Sequence, residues 1–224
     1  KNFDNWLSLG GFDNITFKPN PKVQKLLTKL SIEKLLHPFQ TFILGQKNLA
    51  PKIARQYNID LVFFGENEAE YGNPVTDNLN SLRDKSYYTY DNIKEIYLAG
   101  TKVSDLVKKY KINLSELSSY LPLSIDDFKK NNMQIHYLGY YIKWIPQEAY
   151  YYAVENTGFK ARPNRTEGTY SKYNSIDDKI DDLHYYTRFI KFGIGRATDD
   201  ASQEIRNNHI TREEAKSLVK RFDG

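Results

Sequence analysis

Cysteine is absent from this chain of 224 residues, and methionine occurs once. The lack of thiols excludes disulfide bonds, thiolate metal sites and a cysteine nucleophile within these residues. Histidine is also sparse: the four residues, His37, His136, His184 and His209, are scattered without the close spacing of metal ligands. The sequence therefore predicts no metal site built from cysteine or histidine ligands in the chain.

Long apolar runs are missing as well. The longest, such as Leu61 to Phe64, are far shorter than the roughly 20 residues that a membrane span needs, and no charged-then-apolar leader opens the chain. We therefore expect a soluble, cytoplasmic protein with no membrane partner.

Neither sign of charge dominates, since 32 Lys and Arg residues against 28 Asp and Glu residues leave a net charge of +4. A net positive charge this small is compatible with a nucleic-acid partner but does not indicate one. Tyrosine, by contrast, is abundant, with 18 residues. Its phenol ring suits stacking on sugars or bases, and it suits a half-buried core equally well.

Apolar periodicity in the first part of the chain predicts alternating helices and strands. The predicted order is a helix over Asn2 to Leu9, a strand over Ile15 to Lys18, helices over Val23 to Leu36 and over Phe42 to Tyr57, and a strand over Asp60 to Phe64. We expect Pro51 to interrupt the third helix. The order implies parallel strands joined by crossovers, hence an α/β fold with a partial doubly wound parallel sheet.

From Asp77 onward the pattern predicts a mainly helical C-terminal region. Helix caps are predicted at Asp91 or Asn92, for a helix that ends near Gly100, and in the pairs Ser124 with Asp127 and Thr211 with Glu214. A strand over Gln134 to Ile142 and a helix over Gln147 to Asn156 lie between them. We expect Gly158 to end this helix, as Gly10 and Gly11 end the helix over Asn2 to Leu9. We predict residues 1–76 as the remainder of a nucleotide-binding α/β domain, and residues 77–224 as a substrate-side region packed on the sheet.

Polar residues follow the strand at Asp60 to Phe64. Ligands of doubly wound sheets bind beyond the carboxyl ends of strands, and Glu66 and Asn67 occupy such an end. We predict catalytic roles for both, because carboxylates and amides there can hold Mg²⁺, a ribose hydroxyl or a substrate amine. The alternative is a solvated turn before the next helix.

Cations and aromatics dominate the stretch from Gly139 to Arg206. Arg162 and Arg165 lie in a polar loop with Pro163, and Arg196 follows two glycines ahead of a predicted helix. Guanidinium groups in such places suit phosphate or carboxylate. Lys143 and Trp144 can add a cation and a stacking wall. We predict all five as substrate- or phosphate-binding residues, against the alternatives of water-exposed arginines and a covered sheet edge.

A helix is predicted over Ile176 to Lys191, capped by Ser175. Helical geometry places Asp177, Asp181, His184 and Arg188 on one face. This mixture of acid, imidazole and guanidinium suggests proton transfer or substrate orientation by Asp181 or His184.

The runs PFQTFILGQKNLAPKIARQYNIDLVFFGENEAEYGNP (residues 38–74) and HYLGYYIKWIPQEAYYYAVENTGFKARPNRTEGTYSKYNSIDDKIDDLHYYTRFIKFGIGRATDDASQEIR (residues 136–206) resemble the N-acetyl sugar amidotransferases. These enzymes of surface-polysaccharide, LPS and flagellin-glycan biosynthesis belong to the PP-loop ATP pyrophosphatase group. The resemblance implies an adenine nucleotide alpha hydrolase-like fold and an ATP-dependent, AMP-forming amidotransferase. It implies transfer of AMP to the acetamido oxygen of a sugar, then displacement of AMP by ammonia to leave an acetamidino group.

The resemblance also implies the cofactors and partners. ATP and Mg²⁺ are expected, together with an acetamido sugar, a glutaminase subunit and a cyclase-like subunit related to those of histidine biosynthesis. The family's Ser-Gly-Gly-x-Asp-Ser phosphate loop does not occur here, nor does its cysteine-pair region for zinc. We expect both to lie upstream of Lys1 in a longer protein, and we expect the present chain alone to be inactive.

Two other functions stay open from the sequence. The basic balance and the aromatics also fit a transfer-RNA-modifying PP-loop enzyme. The missing phosphate loop fits a non-catalytic module that binds a sugar or docks a glutaminase.

Overall fold

The computed structural model describes residues 1–65, 80–130 and 132–223. The chain forms two compact units. The first unit comprises Lys1–Phe17, Leu36–Phe39 and Ile145–Gly224, and the second comprises Lys18–Leu35 and Gln40–Trp144. The predicted boundary at residue 76 lies outside the described residues and stays a prediction.

The fold is mixed α/β with a helical C-terminal region, as predicted. The helices are α1 (Asn2–Gly10), α2 (Pro21–Leu35), α3 (Gln40–Gln56), α4 (Val103–Tyr110), α5 (Leu114–Leu117), α6 (Ile125–Lys129), α7 (Pro146–Thr157), α8 (Asp181–Phe192), α9 (Arg196–Arg206) and α10 (Arg212–Phe222). The strands are β1 (Leu61–Phe64), β2 (Thr89–Tyr90), β3 (Tyr97–Leu98), β4 (Thr101–Lys102), β5 (Leu123–Ser124) and β6 (Gln134–Tyr137). Short 3₁₀ turns cover Lys85–Tyr87, Ile93–Glu95, Ser118–Tyr120 and Leu138–Tyr140.

Parallel pairing of β1 with β6 in the second unit confirms the predicted parallel arrangement. Leu61 is opposite Gln134 and Phe64 is opposite Tyr137, so segments far apart in sequence meet in register. Val62 and Ile135 are buried in a cluster with Tyr88, and the Tyr88 hydroxyl lies 3.1 Å from that of Tyr137. The buried, alternate positions of both strands thus fix the register.

A second core of the same unit lies among α2, α4 and α5. Leu27, Leu98, Leu106 and Leu117 are completely buried there. The leucines of α2 recur at helical spacing, which is the pattern that predicted this helix. This core is the larger of the two clusters that the described residues form in this unit.

Three predicted elements are wrong. Residues 12–20 contain no strand, because Ile15 and Phe17 are half exposed and no partner strand lies beside them in the described chain. Pro51 lies inside α3 without interrupting it. The helix expected to end near Gly100 is replaced by the hairpin of β3 and β4, because Ala99 and Gly100 both have positive φ, as a two-residue hairpin turn requires.

Several local signals are confirmed. Gly11 and Gly158 adopt left-handed conformations that end α1 and α7. The Ser124 hydroxyl accepts a hydrogen bond from the Asp127 amide, and Thr211 with Glu214 forms a complete capping box. Of the predicted strand over Gln134 to Ile142, only the first four residues form a strand. Among the described helices, none is both long and apolar enough to cross a bilayer.

We expect Leu27→Ala to lower the free energy of unfolding by about 2–5 kcal/mol, because it leaves a cavity where no solvent reaches. Urea denaturation followed by circular dichroism measures this loss. Lys25→Ala, on the exposed side of α2, is the matched control and should change the free energy by less than about 0.5 kcal/mol. Equal effects of the two variants would contradict the assigned core.

Candidate functional site

The loop that carries Arg162 and Arg165 is closed on itself in the first unit. The Arg162 amide donates to the Lys172 carbonyl at 2.9 Å, and the Thr166 amide donates to the Ser171 carbonyl at 2.9 Å. Gly168 turns the chain at φ +72°, a conformation that favours glycine. We call residues 162–175 the arginine loop.

Asp200 of α9 joins the arginine loop to the C-terminal helices. Its Oδ2 accepts a hydrogen bond from the Thr169 hydroxyl at 2.6 Å, and its Oδ1 accepts one from the side-chain amide of Asn174 at 3.2 Å. Oδ1 also accepts from Arg196 Nε at 3.1 Å, with 7% of the Asp200 side chain exposed. A carboxylate that leaves water needs this number of partners, so Asp200 is an organising residue of the unit.

Arg196 is bound inside the protein. Besides Asp200, its guanidinium donates to the Tyr185 hydroxyl and lies 4.5 Å from the Tyr185 ring centroid. Its charge is compensated by a partner four residues along the same helix. The structure therefore gives Arg196 a structural role, and its predicted binding of a phosphate stays a prediction.

The start of α9 is occupied by a carboxylate from the end of α10. Asp223 accepts from the Gly195 amide at 3.1 Å and from the Thr198 hydroxyl at 2.6 Å. A Cβ on Gly195 would lie 2.2 Å from Asp223 Oδ1, so a larger residue there would force this carboxylate to shift. The predicted anion site at this helix start is thus filled by the chain's own side chain, which the helix dipole favours.

Arg162 and Arg165 also bind main-chain oxygens of their own loop. Arg162 donates to the Ser175 carbonyl at 2.7 Å. Arg165 donates to the carbonyls of Thr166 and Thr169 at 3.3 and 3.2 Å. Both guanidinium groups hold the loop shape, and their predicted binding of an external anion stays a prediction.

The predicted helix over Ile176 to Lys191 begins later than expected. Ser175 has φ +53° and does not cap it, and α8 starts only at Asp181. Asp177 therefore lies outside the helix, and the predicted helical face that it shares with His184 is wrong. The cause is tertiary, since the residues before Asp181 continue the arginine loop.

Asp181 is linked to that loop through Ser175. The Ser175 hydroxyl donates to its carboxylate, and Arg162 binds the carbonyl of the same serine. Burial raises the pKa of Asp181, and the bond from Ser175 and the charge of Arg196 counteract this rise. A partly buried carboxyl with a raised pKa suits proton transfer, a role that stays a prediction.

His184 lies in an aromatic cluster rather than in a polar site. Its ring stacks on His37 at 5.0 Å and meets Phe39 and Tyr185 edge-on at 5.3 and 5.2 Å. Burial, followed by the nearby His37 and Arg188, lowers the pKa of His184 to about 4. The Nδ1 atoms of both histidines are buried without a hydrogen-bond partner among the described residues. His184 is therefore neutral near neutral pH, and its catalytic role stays a prediction.

The other predicted site residues lie elsewhere. Lys143 and Trp144 belong to the second unit, where both are exposed after β6. Glu66 and Asn67 lie outside the described residues. The structure thus brings together Arg162, Asp181, His184 and Arg196 of the predicted set, with Arg165 in the same loop.

A small polar cavity lies beside Asp200 in the first unit. Gln147, Asn174, Gln203, Glu204 and Asn207 contribute to its walls. Its volume of about 10 Å³ is the room of about one water molecule, so it does not hold a sugar ring. Glu204 accepts from the Tyr170 hydroxyl at 3.0 Å there, and burial raises the pKa of this carboxyl.

Three acids with structural roles in this unit, Asp199, Asp200 and Asp223, were not predicted from the sequence. Asp200 was detectable from its i,i+4 spacing to Arg196, which is typical of helical ion pairs. Arg188 pairs through both guanidinium nitrogens with Asp199, across the turn between α8 and α9. Asp223 gave no signal, because 28 positions separate it from the amide of Gly195.

The expected ATP and Mg²⁺ stay a prediction, because Glu66 and Asn67 lie outside the described residues. No group of three or more acids and histidines among them could hold a metal ion. The three predicted arginines are already bound to carbonyls, a carboxylate and a phenol. A phosphate would have to displace these partners.

We expect Asp200→Ala to lower the free energy of unfolding by about 3–5 kcal/mol, because it leaves the mostly buried Arg196 charge without its carboxylate. Thermal and urea denaturation measure the loss, and hydrogen exchange should show the arginine loop opening first. Glu213→Ala removes an exposed ion pair with Lys216 and should cost less than about 1 kcal/mol. A loss of that small size for Asp200→Ala would show that the carboxylate does not hold the unit together.

Stability should fall as the pH drops from about 6.5 to about 4. The folded pKa of His184 is lowered to about 4, so the unfolded chain takes up the proton first in this range. The pKa of His37 is also lowered by burial, which adds to the loss. Asp181 and Glu204 act oppositely, because their raised pKa values favour the folded state in acid.

Urea denaturation at several pH values tests this expectation, with His184→Phe as the comparison. The variant keeps an aromatic ring in the cluster and should lose less stability over the same range. Identical pH dependence of the two proteins would mean that His184 does not contribute.

The C-terminal part of the chain is similar to a known protein family. Residues 167–224 match the family described as LPS biosynthesis protein WbpG-like, C-terminal domain. This segment contains α8, α9 and α10 and all the residues that bind Asp200. No curated protein matches the chain. The match shows that residues 167–224 are similar to this C-terminal domain of LPS biosynthesis proteins.

Proposed function

We propose that this chain is part of an ATP-dependent amidotransferase that acts on an N-acetyl sugar during LPS biosynthesis. The observation that carries the proposal is the match of residues 167–224 to a C-terminal domain of LPS biosynthesis proteins. The resemblance of residues 38–74 and 136–206 to sugar amidotransferases supplies the reaction class. The same chemistry serves flagellin glycans, which are the alternative destination of the product.

The proposed reaction activates a poor electrophile. The acetamido oxygen attacks the α-phosphorus of ATP, a C–O–P linkage forms, and pyrophosphate leaves. Ammonia then adds to the same carbon, AMP departs with the oxygen, and loss of a proton gives the acetamidino group. The protein mainly has to position the reactants and stabilise phosphate charge.

Within this proposal, the first unit is the substrate side and not the phosphate side. Its predicted arginines are held by the chain itself, with Arg162 shaping the arginine loop and Arg196 paired to Asp200, which favours a phosphate site elsewhere. The phosphates and Mg²⁺ are assigned to parts of the protein outside the described residues, which include Glu66 and Asn67. Lys143 and Trp144, both exposed, are available to contact a ligand.

The proposed partner subunits and cellular compartment follow from the same chemistry. Ammonia has to be supplied, which a glutaminase and a cyclase-like subunit would do. An ATP-consuming sugar modification also fits a protein of the cytoplasm, where ATP is available.

A non-catalytic role for the present chain is the second candidate. It is favoured by the observation that the chain itself already binds the guanidinium groups of Arg162, Arg165 and Arg196. Such a module would bind an acetamido sugar, or dock the glutaminase, without ATP.

The test supplies the full-length protein with ATP, an ammonium salt and candidate acetamido sugars. We expect AMP, pyrophosphate and a sugar whose mass has changed by the exchange of oxygen for an imino group. The 224-residue chain alone should release no pyrophosphate at the rate of a complete enzyme. AMP formation without any change of sugar mass in the full-length protein would contradict the amidotransferase.

Two variants of the full-length protein sharpen the assignment. Glu66→Gln should lower turnover by about a hundredfold or more if the carboxylate takes part in the reaction. Glu213→Gln, on the exposed face of α10, should leave turnover unchanged. Binding of an acetamido sugar by the 224-residue chain without ATP, measured by calorimetry, would support the second candidate when turnover is absent.

A further inference from the structure

An open groove runs between α9 and α10 in the first unit. Its volume is about 350 Å³. The floor is formed by Ala201 and Ala215, both buried, with Ile205 and Val219 partly exposed. The surface inside the groove is therefore mostly carbon, although this pair of helices carries many charges.

The rim of the groove on the α10 side is basic. Arg212, Lys216 and Lys220 line it at successive turns of the helix, and no acidic residue of the described chain lines the groove. Lys216 also reaches Glu213 at 2.8 Å, in a pair that is largely exposed and hence weak. The groove combines an apolar floor with a stripe of positive charge.

The dimensions of the groove suit one helix. At ~1.5 Å per residue, the wall on α9 extends about 10 Å, from Thr198 to Ile205. The wall on α10 extends about 12 Å, from Arg212 to Lys220, and each wall is about two helical turns long. The alanines of the floor leave room for the side chains of an incoming ridge, as in helix-on-helix packing. A third helix would turn the α9–α10 hairpin into a three-helix arrangement.

We propose that the α9–α10 groove binds an acidic amphipathic helix of a partner protein. The apolar residues of that helix, at i, i+3 or i+4, and i+7, cover Ile205 and Val219, and its carboxylates face Arg212, Lys216 and Lys220. The proposal stands on the groove alone and does not depend on the sugar amidotransferase reaction.

The shape argues for a protein partner over other polyanions. A membrane is entered by large apolar side chains that project outward, whereas this apolar surface is concave and its floor is alanine. Nucleic acid is held by polar contacts along its backbone, whereas the groove floor offers carbon. Both become outcomes of the test.

The test uses the 224-residue protein and three synthetic helical peptides. The first carries leucines along one face and glutamates on both flanks of that face. The second has lysine at every glutamate, and the third has alanine at every leucine. Dissociation constants come from fluorescence anisotropy, and amide chemical shifts of the protein locate the site.

We expect the glutamate peptide to bind about tenfold more tightly than the lysine peptide, since three exposed ion pairs distinguish them. The alanine peptide should bind more weakly than the glutamate peptide as well. The shifted amides should lie in α9 and α10, around Thr198, Ile205 and Val219.

Charge-reversal variants distinguish binding in the groove from general electrostatic attraction to the protein. The double variant Arg212→Glu/Lys220→Glu should reverse the preference and bind the lysine peptide more tightly. Arg206→Glu/Arg221→Glu makes the same change of net charge on the same two helices, outside the groove lining, and should keep the preference for glutamate. Both variants change exposed residues, and circular dichroism checks that they fold.

The proposal is overturned by any of four results: no binding of the glutamate peptide, equal binding of the glutamate and lysine peptides, shifts outside α9 and α10, or an equal loss in the control variant. Vesicles of phosphatidylglycerol and a single-stranded oligonucleotide serve as competitors. If either binds through Arg212 and Lys220 while the glutamate peptide does not, the groove recognises that polyanion instead.

Discussion

The structure of the first unit depends on the hydrogen bonds that the buried carboxylate of Asp200 accepts. It holds the hydroxyl of Thr169, the side-chain amide of Asn174 and the guanidinium of Arg196 at once, and so joins the arginine loop to α9. Without Asp200, the Thr169 hydroxyl and the Asn174 amide would lose this acceptor and Arg196 would lose its carboxylate, in surroundings that water reaches poorly. Because the loop contains little regular secondary structure, its shape comes from such side-chain bonds together with the two main-chain bonds that close it.

Other charged groups of the unit are also paired within the chain, and this pairing limits the ability of its arginines to bind an external anion. Arg188 is held by Asp199, and Asp223 occupies the helix start that the two glycines leave open. A cation that is already paired gains little from an external phosphate, since it must first give up its partner. A partner of this unit would therefore contact its exposed residues and not these paired arginines. The groove between α9 and α10 has both the apolar floor and the basic rim for that purpose.

The proposed activity and the groove concern different parts of the protein. The proposed reaction needs a phosphate site, and Glu66 and Asn67, which follow β1 in sequence, are the residues proposed for it. The match to WbpG-like proteins covers only residues 167–224, which contain the groove and the Asp200 contacts.

The sequence by itself determined the local features of this protein. Helical spacing of leucines predicted α2, the Thr211–Glu214 box predicted the start of α10, and glycines predicted the ends of α1 and α7. Half-exposed Ile15 and Phe17 show the limit, since alternation predicts a strand only where a partner strand exists. Tertiary structure alone decided that β1 pairs with β6, that Ser175 leads into a loop, and that Asp223 occupies the start of α9. These outcomes depend on contacts between segments distant in sequence, whose free energy no local pattern records.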